Sequence, residues 1–140
     1  MLNLGDLAYA QGHDEKATVL LGESKKIYKE VRDENGIAAV LHLLGSIALR
    51  SSKYGEARHL LEQSLEINQR IDVRHGIAGN KLALARLEAS GDDSAKALLL
   101  AREAEDIYRK LGMEEKLEKT RKLVERLEGK LSADRERISG

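Results

Sequence analysis

Leu44-Gly45-Ser46-Ile47-Ala48 decides the fold, because it does not occur once. The same pattern stands forty residues earlier as Leu4-Gly5-Asp6-Leu7-Ala8, and forty later as Leu84-Ala85-Arg86-Leu87. Working outward, Ala17, Ala57 and Ala97 share a slot, as do Leu20, Leu60 and Leu100. Ser24, Ser64 and Ala104 share another, and Ile27, Ile67 and Ile107 a fourth. Gly36-Ile37-Ala38 returns as Gly76-Ile77-Ala78, and residues 2–41 and 42–81 agree at 11 of 40 positions. A fixed period of this size is the mark of stacked units, none of which buries its apolar face alone.

Each repeat carries two helical patterns. Ile37, Val40, Leu41, Leu44 and Ala48 recur at spacings of three and four, which is one face of a helix. After the polar break Ser51-Ser52-Lys53, a second stripe follows in Ala57, Leu60, Leu61, Ser64, Ile67 and Ile71. The expected helices run over about 35–50 and 54–71. Matching breaks at Gln11-Gly12-His13 and Gly91-Asp92-Asp93 supply Gly for left-handed backbone and Asp for capping. No strand alternation occurs. The expected architecture is all-α, a right-handed α-solenoid of antiparallel helix pairs. Its units span about 2–34, 35–73 and 74–112, followed by a capping helix over 114–128 that Gly129 ends. Residues 129–140 read as a short polar, loosely ordered tail. The seven-residue spacing of Leu117, Val124, Leu131 and Ile138 could mark a coiled-coil seam, but Gly129 interrupts it and capping is the better reading. Unit one lacks a counterpart of Asn35-Gly36-Ile37-Ala38, which favours a fragment of a longer array.

Composition excludes several classes of function. The 24 basic and 24 acidic residues cancel, so the overall balance offers no concentrated field for nucleic acid or anionic lipid. No apolar run approaches the ~20 residues of a membrane span. Absence of Cys removes thiol chemistry and fits a reducing compartment, hence a cytoplasmic expectation. His13, His42, His59 and His75 lack the spacing of a metal site, and no Gly-rich phosphate loop precedes a Lys. Ser46 and His42 form an i,i+4 pair without an evident orienting carboxylate. The chain is therefore expected to have no catalytic residues, no metal and no cofactor.

Leu44-Gly45, Ala48, Ala57, Leu61 and Ser64 resemble the tetratricopeptide repeat in order and spacing. The forty-residue period with Gly-Ile-Ala at unit boundaries is similar to a longer-helix subclass of that family. This subclass occurs in bacterial signalling ATPases and transcription regulators, and in animal polarity adaptors with GoLoco motifs. Glu88, in place of the small residue of Ala8 and Ala48, departs from the pattern, as does Lys116 in the slot of Gly36 and Gly76. The resemblance implies a non-enzymatic protein-interaction module that holds a peptide or helix in a concave groove. It places Asp6, Tyr9, His42, Ser46, Leu49, Arg50, Leu82, Arg86, Lys122 and Arg126 in that groove. The Lys/Asn/Arg clamp that co-chaperone members use for a C-terminal carboxylate is missing. Arg50, Arg86, Lys122 and Arg126 suit an acidic partner; a solvated charged face neutralised by Glu88 and Glu125 is the bland alternative. Two further readings are a sensory or oligomerisation segment of a larger bacterial regulator, and self-association through the uncapped first unit.

Overall fold

A computed structural model describes Gly5 and residues 12–139. Six helices follow one another: α1 (Asp14–Glu30), α2 (Glu34–Arg50), α3 (Tyr54–Arg70), α4 (Arg74–Ser90), α5 (Ser94–Leu111) and α6 (Glu114–Ser139). No strand occurs among the described residues. This is the all-α order of successive helices expected from the repeat, and the observed bounds of α2 and α3 lie within a residue of those expected from periodicity. The first helix of unit one, with Asp6 and Tyr9, lies outside the described residues.

The turns between helices are built to one plan. A residue in the left-handed region stands at every twentieth position: Gly12 (φ 78°), Arg32 (58°), Ser52 (60°), Asp72 (57°), Asp92 (62°) and Gly112 (71°). After α1, the Asp33 N–H donates to the Tyr28 carbonyl at 2.9 Å and the Arg32 N–H to that of Lys29 at 3.2 Å. This pair of bonds closes a helix C-terminus by satisfying carbonyls that have no intrahelical partner. Lys53 to Ala48 (2.8 Å), Val73 to Asn68 (2.9 Å), Asp93 to Glu88 (2.9 Å) and Met113 to Tyr108 (3.1 Å) repeat the longer bond. The same short turns then start the next helix. Asp33 Oδ1 accepts from the Gly36 N–H at 2.9 Å, and Asp93 Oδ1 from that of Lys96 at 3.1 Å. In the third break the left-handed residue is Asp92 rather than the neighbouring Gly91.

The chain divides into two compact units, Met1–Gly76 and Ile77–Gly140. In the first, Ala17, Leu21, Val40 and Ile47 form a buried core with Leu20, Tyr28, Leu43 and Leu44 against it. The recurring small residues let helices approach closely. A Cβ on Gly36 would lie 2.5 Å from the Tyr28 ring, and one on Gly45 would lie 2.8 Å from Leu61 Cγ. Gly76 meets Asn68 in the same way, at 2.6 Å. Tyr28 and Asn68 thus occupy one repeat slot facing one glycine slot. Polar contacts fix the antiparallel register. The Ser64 hydroxyl donates to the Ala38 carbonyl at 2.7 Å, inside the α2–α3 contact. Arg70, ending α3, grips Glu34, starting α2, through both carboxylate oxygens at 2.7 and 2.8 Å. Arg50, ending α2, pairs with Asp14, starting α1.

In the second unit, Ala78, Leu82 and Ala85 of α4 share a core with Ala97, Ala101, Ala104 and Tyr108 of α5. Leu117, Leu123, Val124 and Leu127 of α6 complete it. Lys81 pairs with Glu103, and Arg102 with Glu128 at 3.2 Å. Tyr108, at the end of α5, is 3% exposed. Burial raises its phenol pKa above the usual 10.0, and the nearby Arg86 cation works against that rise.

One boundary differs from the sequence reading. Gly129 does not end the last helix: α6 runs on to Ser139, so 129–140 does not begin a loose tail. A glycine stops a helix when it takes the left-handed position and closes the carbonyls, as Gly112 does after α5. Gly129 stays helical, at a cost of about 1 kcal/mol relative to Ala. Leu131 beyond it packs on the core, which holds the helix in line.

Candidate binding surface

Helical spacing sorts the side chains of α2 into two sets. Ala38, Leu41, Gly45 and Ala48 are buried. Val40 and Ile47 are buried as well, whereas His42, Ser46 and Leu49 are half-buried and Arg50 is exposed. The three-four spacing of 42, 46, 49 and 50 puts all four on one face. Arg50 is engaged by Asp14 across the α1–α2 contact. Its charge therefore has a structural task, and the side chain is not a simple unoccupied cation.

The corresponding face of α4 behaves differently. Leu82 is only 5% exposed and belongs to the core of the second unit. This corrects its assignment as a groove-lining contact: the slot filled by polar His42 in α2 is filled here by an apolar side chain that packs inward. Arg86 is exposed one turn later. Glu88 does not neutralise Arg86 at the surface. It is 6% exposed and its carboxylate faces Lys96 of α5 at 3.5 Å. A buried carboxylate needs such a partner, because its desolvation is otherwise unrepaid.

On α6, Lys122 and Arg126 are both exposed, and neither has an ion-pair partner among the described residues. Two cations that sequence reasoning passed over join them. Lys119 and Lys130 are exposed, and the run 119, 122, 126, 130 keeps the spacing of a single helix face. Periodicity was the signal that could have found them. Lys119 lies 3.7 Å from Glu115 and Lys130 lies 3.2 Å from Asp92, both at the surface. Glu118 and Glu125 stand four residues before and three after Lys122, so carboxylates flank that cation on α6.

His13, His59 and His75 are exposed and scattered. Among the described residues no group of three or more His, Cys, Asp or Glu side chains is placed to hold a metal ion. No described helix is long and apolar enough to cross a membrane. Tyr54 is 44% exposed over the α2–α3 turn, and its hydroxyl lies 3.5 Å from that of Ser52.

Paired antiparallel helices, small residues at fixed slots and a repeated helix-closing turn define a helical-repeat scaffold. The tetratricopeptide repeat profile matches residues 1–70 and again 36–110. The chain belongs to the tetratricopeptide repeat family. It is 25% identical over 119 residues to the Tonsoku-like protein of Danio rerio, covering 79% of this chain and 8% of that protein. The chain thus spans a small part of this relative's length. Its fold is similar to the crystal structure of BtubC (BKLC) from P. vanneervenii, with a TM-score of 0.63 and 20% identity. That match covers 92% of this chain and 62% of the other. Tetratricopeptide repeats are, as a class, protein–protein interaction modules.

Proposed function

We propose that this chain is a non-enzymatic interaction module whose exposed first-helix faces take a peptide or short helix of a partner protein, with acidic character favoured. The observation that carries this reading is the exposure of Arg86, Lys122 and Arg126 without an ion-pair partner among the described residues. Long cationic side chains left without internal work are available to a partner, and Arg can hold a carboxylate through two parallel bonds. Preformed helices also spare the partner the cost of ordering a receptor. A cytoplasmic setting fits the cysteine-free composition. The test is affinity capture with the intact chain, followed by Arg50→Glu/Arg86→Glu reversal. Lys26→Glu/Arg109→Glu, on the second helices of their repeats, serves as control. Loss of the captured partner with the first pair supports the reading. Retention with the first pair overturns it, whatever the control does.

A second reading is favoured by α1. Ile27 is 58% and Val31 66% exposed, whereas the repeat equivalents Ile67 and Ile107 are half-buried. Contiguous exposed aliphatics on one helix suit self-association. Light scattering on the wild type and on Ile27→Glu/Val31→Glu tests it; a wild-type monomer at high concentration removes this reading.

A further inference from the structure

We infer that Asn35 is a site of spontaneous conversion to aspartate and isoaspartate, gated by the first turn of α2. Asn35-Gly36 is the one Asn-Gly pair in the chain. The reaction is intramolecular. The Gly36 nitrogen gives its proton to solvent and attacks Asn35 Cγ; the new N–Cγ bond forms as the Cγ–Nδ2 bond breaks and ammonia leaves. Water then opens the cyclic imide at either carbonyl. Breaking the new bond leaves aspartate, and breaking the old Asn35–Gly36 peptide bond leaves isoaspartate. The net change is one water taken up and one ammonia released, with nothing oxidised or reduced. Glycine hinders this attack least, because it has no Cβ beside its nitrogen.

Packing fixes the glycine and leaves the asparagine open. A Cβ on Gly36 would lie 2.5 Å from the Tyr28 ring, so this slot excludes a side chain. Asn35 is exposed, and its repeat equivalents are His75 and Glu115. The reactive pair therefore joins a position under a strict packing demand to a neighbour under none.

The closed turn blocks the attack. The Gly36 N–H donates to Asp33 Oδ1 at 2.9 Å, which holds the proton that must leave. The Ile37 N–H donates to the Asp33 carbonyl at 3.0 Å and keeps Asn35 in helical backbone. A helical ψ of about −42° turns the Gly36 nitrogen away from the approach to Cγ. Arg70 adds a clasp by gripping both oxygens of Glu34 at 2.7 and 2.8 Å. These restraints lie at the surface. Asp33 and Asn35 are exposed, Glu34, Gly36 and Ile37 are half-buried, and the first buried residue of α2 is Ala38. Opening the turn as far as Gly36 thus leaves the core closed, and local openings of this kind cost far less than global unfolding. The native chain can react through them.

The two products differ in consequence. Aspartate keeps the backbone and adds a negative charge in the first turn, where the helix dipole favours it. Isoaspartate routes the backbone through its own side-chain carbons, so the turn no longer closes and the start of α2 loosens from Tyr28.

The test incubates the full chain, folded and in urea, in mildly alkaline buffer. Peptide mass spectrometry follows residue 35, and carboxyl-methyltransferase labelling scores isoaspartate. The unfolded chain is expected to convert roughly tenfold or more faster than the folded one. Asp33→Ala removes the cap and is expected to speed conversion in the folded chain roughly fivefold. Val124→Ala, a packing loss in the core of the second unit, is expected to change that rate by less than about twofold. Asn35→His, the residue of the next repeat, is expected to abolish the signal. Circular dichroism checks that each variant is folded. Equal rates in the folded and unfolded chains overturn the inference. So does a folded-state rate unmoved by Asp33→Ala, or one raised as much by Val124→Ala.

Discussion

Gly45→Ala adds a single methyl group where α2 lies tight against Leu61 of α3. On propensity alone the change stabilises a helix by about 1 kcal/mol, because glycine gives up more backbone freedom on folding. The packing opposes this gain. The new Cβ would lie 2.8 Å from Leu61 Cγ and 2.9 Å from its Cδ2. Carbon contacts are most favourable at roughly 3.5–4.0 Å, so the overlap is close to 1 Å. Leu61 is 0% exposed and cannot swing into solvent. Overpacking of this kind costs about 1–3 kcal/mol, so the expected net effect is a loss of about 1 kcal/mol. Leu61→Ala alone should cost about 3 kcal/mol through lost burial and a cavity. In the double variant the clash is gone and the helix gain remains, leaving a loss of about 2 kcal/mol. The cycle therefore carries a favourable coupling of about 2 kcal/mol. Urea unfolding of the four proteins, followed by far-ultraviolet circular dichroism, measures it. If Gly45→Ala is more stable than wild type, or the two changes simply add, close approach is not why glycine stands there.

Ser64→Ala removes the buried hydroxyl bond to the Ala38 carbonyl and should lower stability by about 1 kcal/mol in the same unfolding assay. The effect is limited because that carbonyl retains a second lone pair for its helical bond. Gly129→Ala should raise stability by about 0.5–1 kcal/mol in thermal or urea unfolding, since the added methyl enters open space on a continuous helix. Tyr108 gives a pH-dependent prediction. Its folded pKa is raised above 10.0, so the unfolded chain ionises first as pH climbs. The stability it contributes is full below about pH 10 and is lost as pH rises through the raised value. Unfolding midpoints of wild type and Tyr108→Phe should therefore shift in favour of the variant between about pH 8 and pH 11.

The helices were legible because apolar spacing and the slots of Gly45, Ala57 and Ala97 record packing directly. The turns were legible only in outline. Arg32 and Asp72 show no local preference strong enough to announce left-handed backbone, yet both adopt it, because the carbonyl-closing bonds on either side fix the backbone there. Gly129 misled for the converse reason: glycine permits a stop but does not impose one when Leu131 holds the helix to the core. Leu82 was placed in the groove by its position in the family pattern. Burial depends on what packs against a side chain, and repeat register says nothing of that. Lys119 and Lys130 were visible in the spacing, but charge in a chain rich in both signs reads as background until the helix faces are known.

The left-handed residue that returns every twenty positions makes the length of this chain discrete. Excising residues 33–72 would join Arg32 to Val73 and leave a turn with every slot in place, and duplicating the same block would add a turn of the same form. A block of twenty would also preserve the turn but reverse the direction of every later helix, exchanging first-helix positions for second-helix ones. Growth and loss in this lineage are therefore expected in whole forties, and designed arrays cut at these turns should keep phase where cuts inside a helix would not.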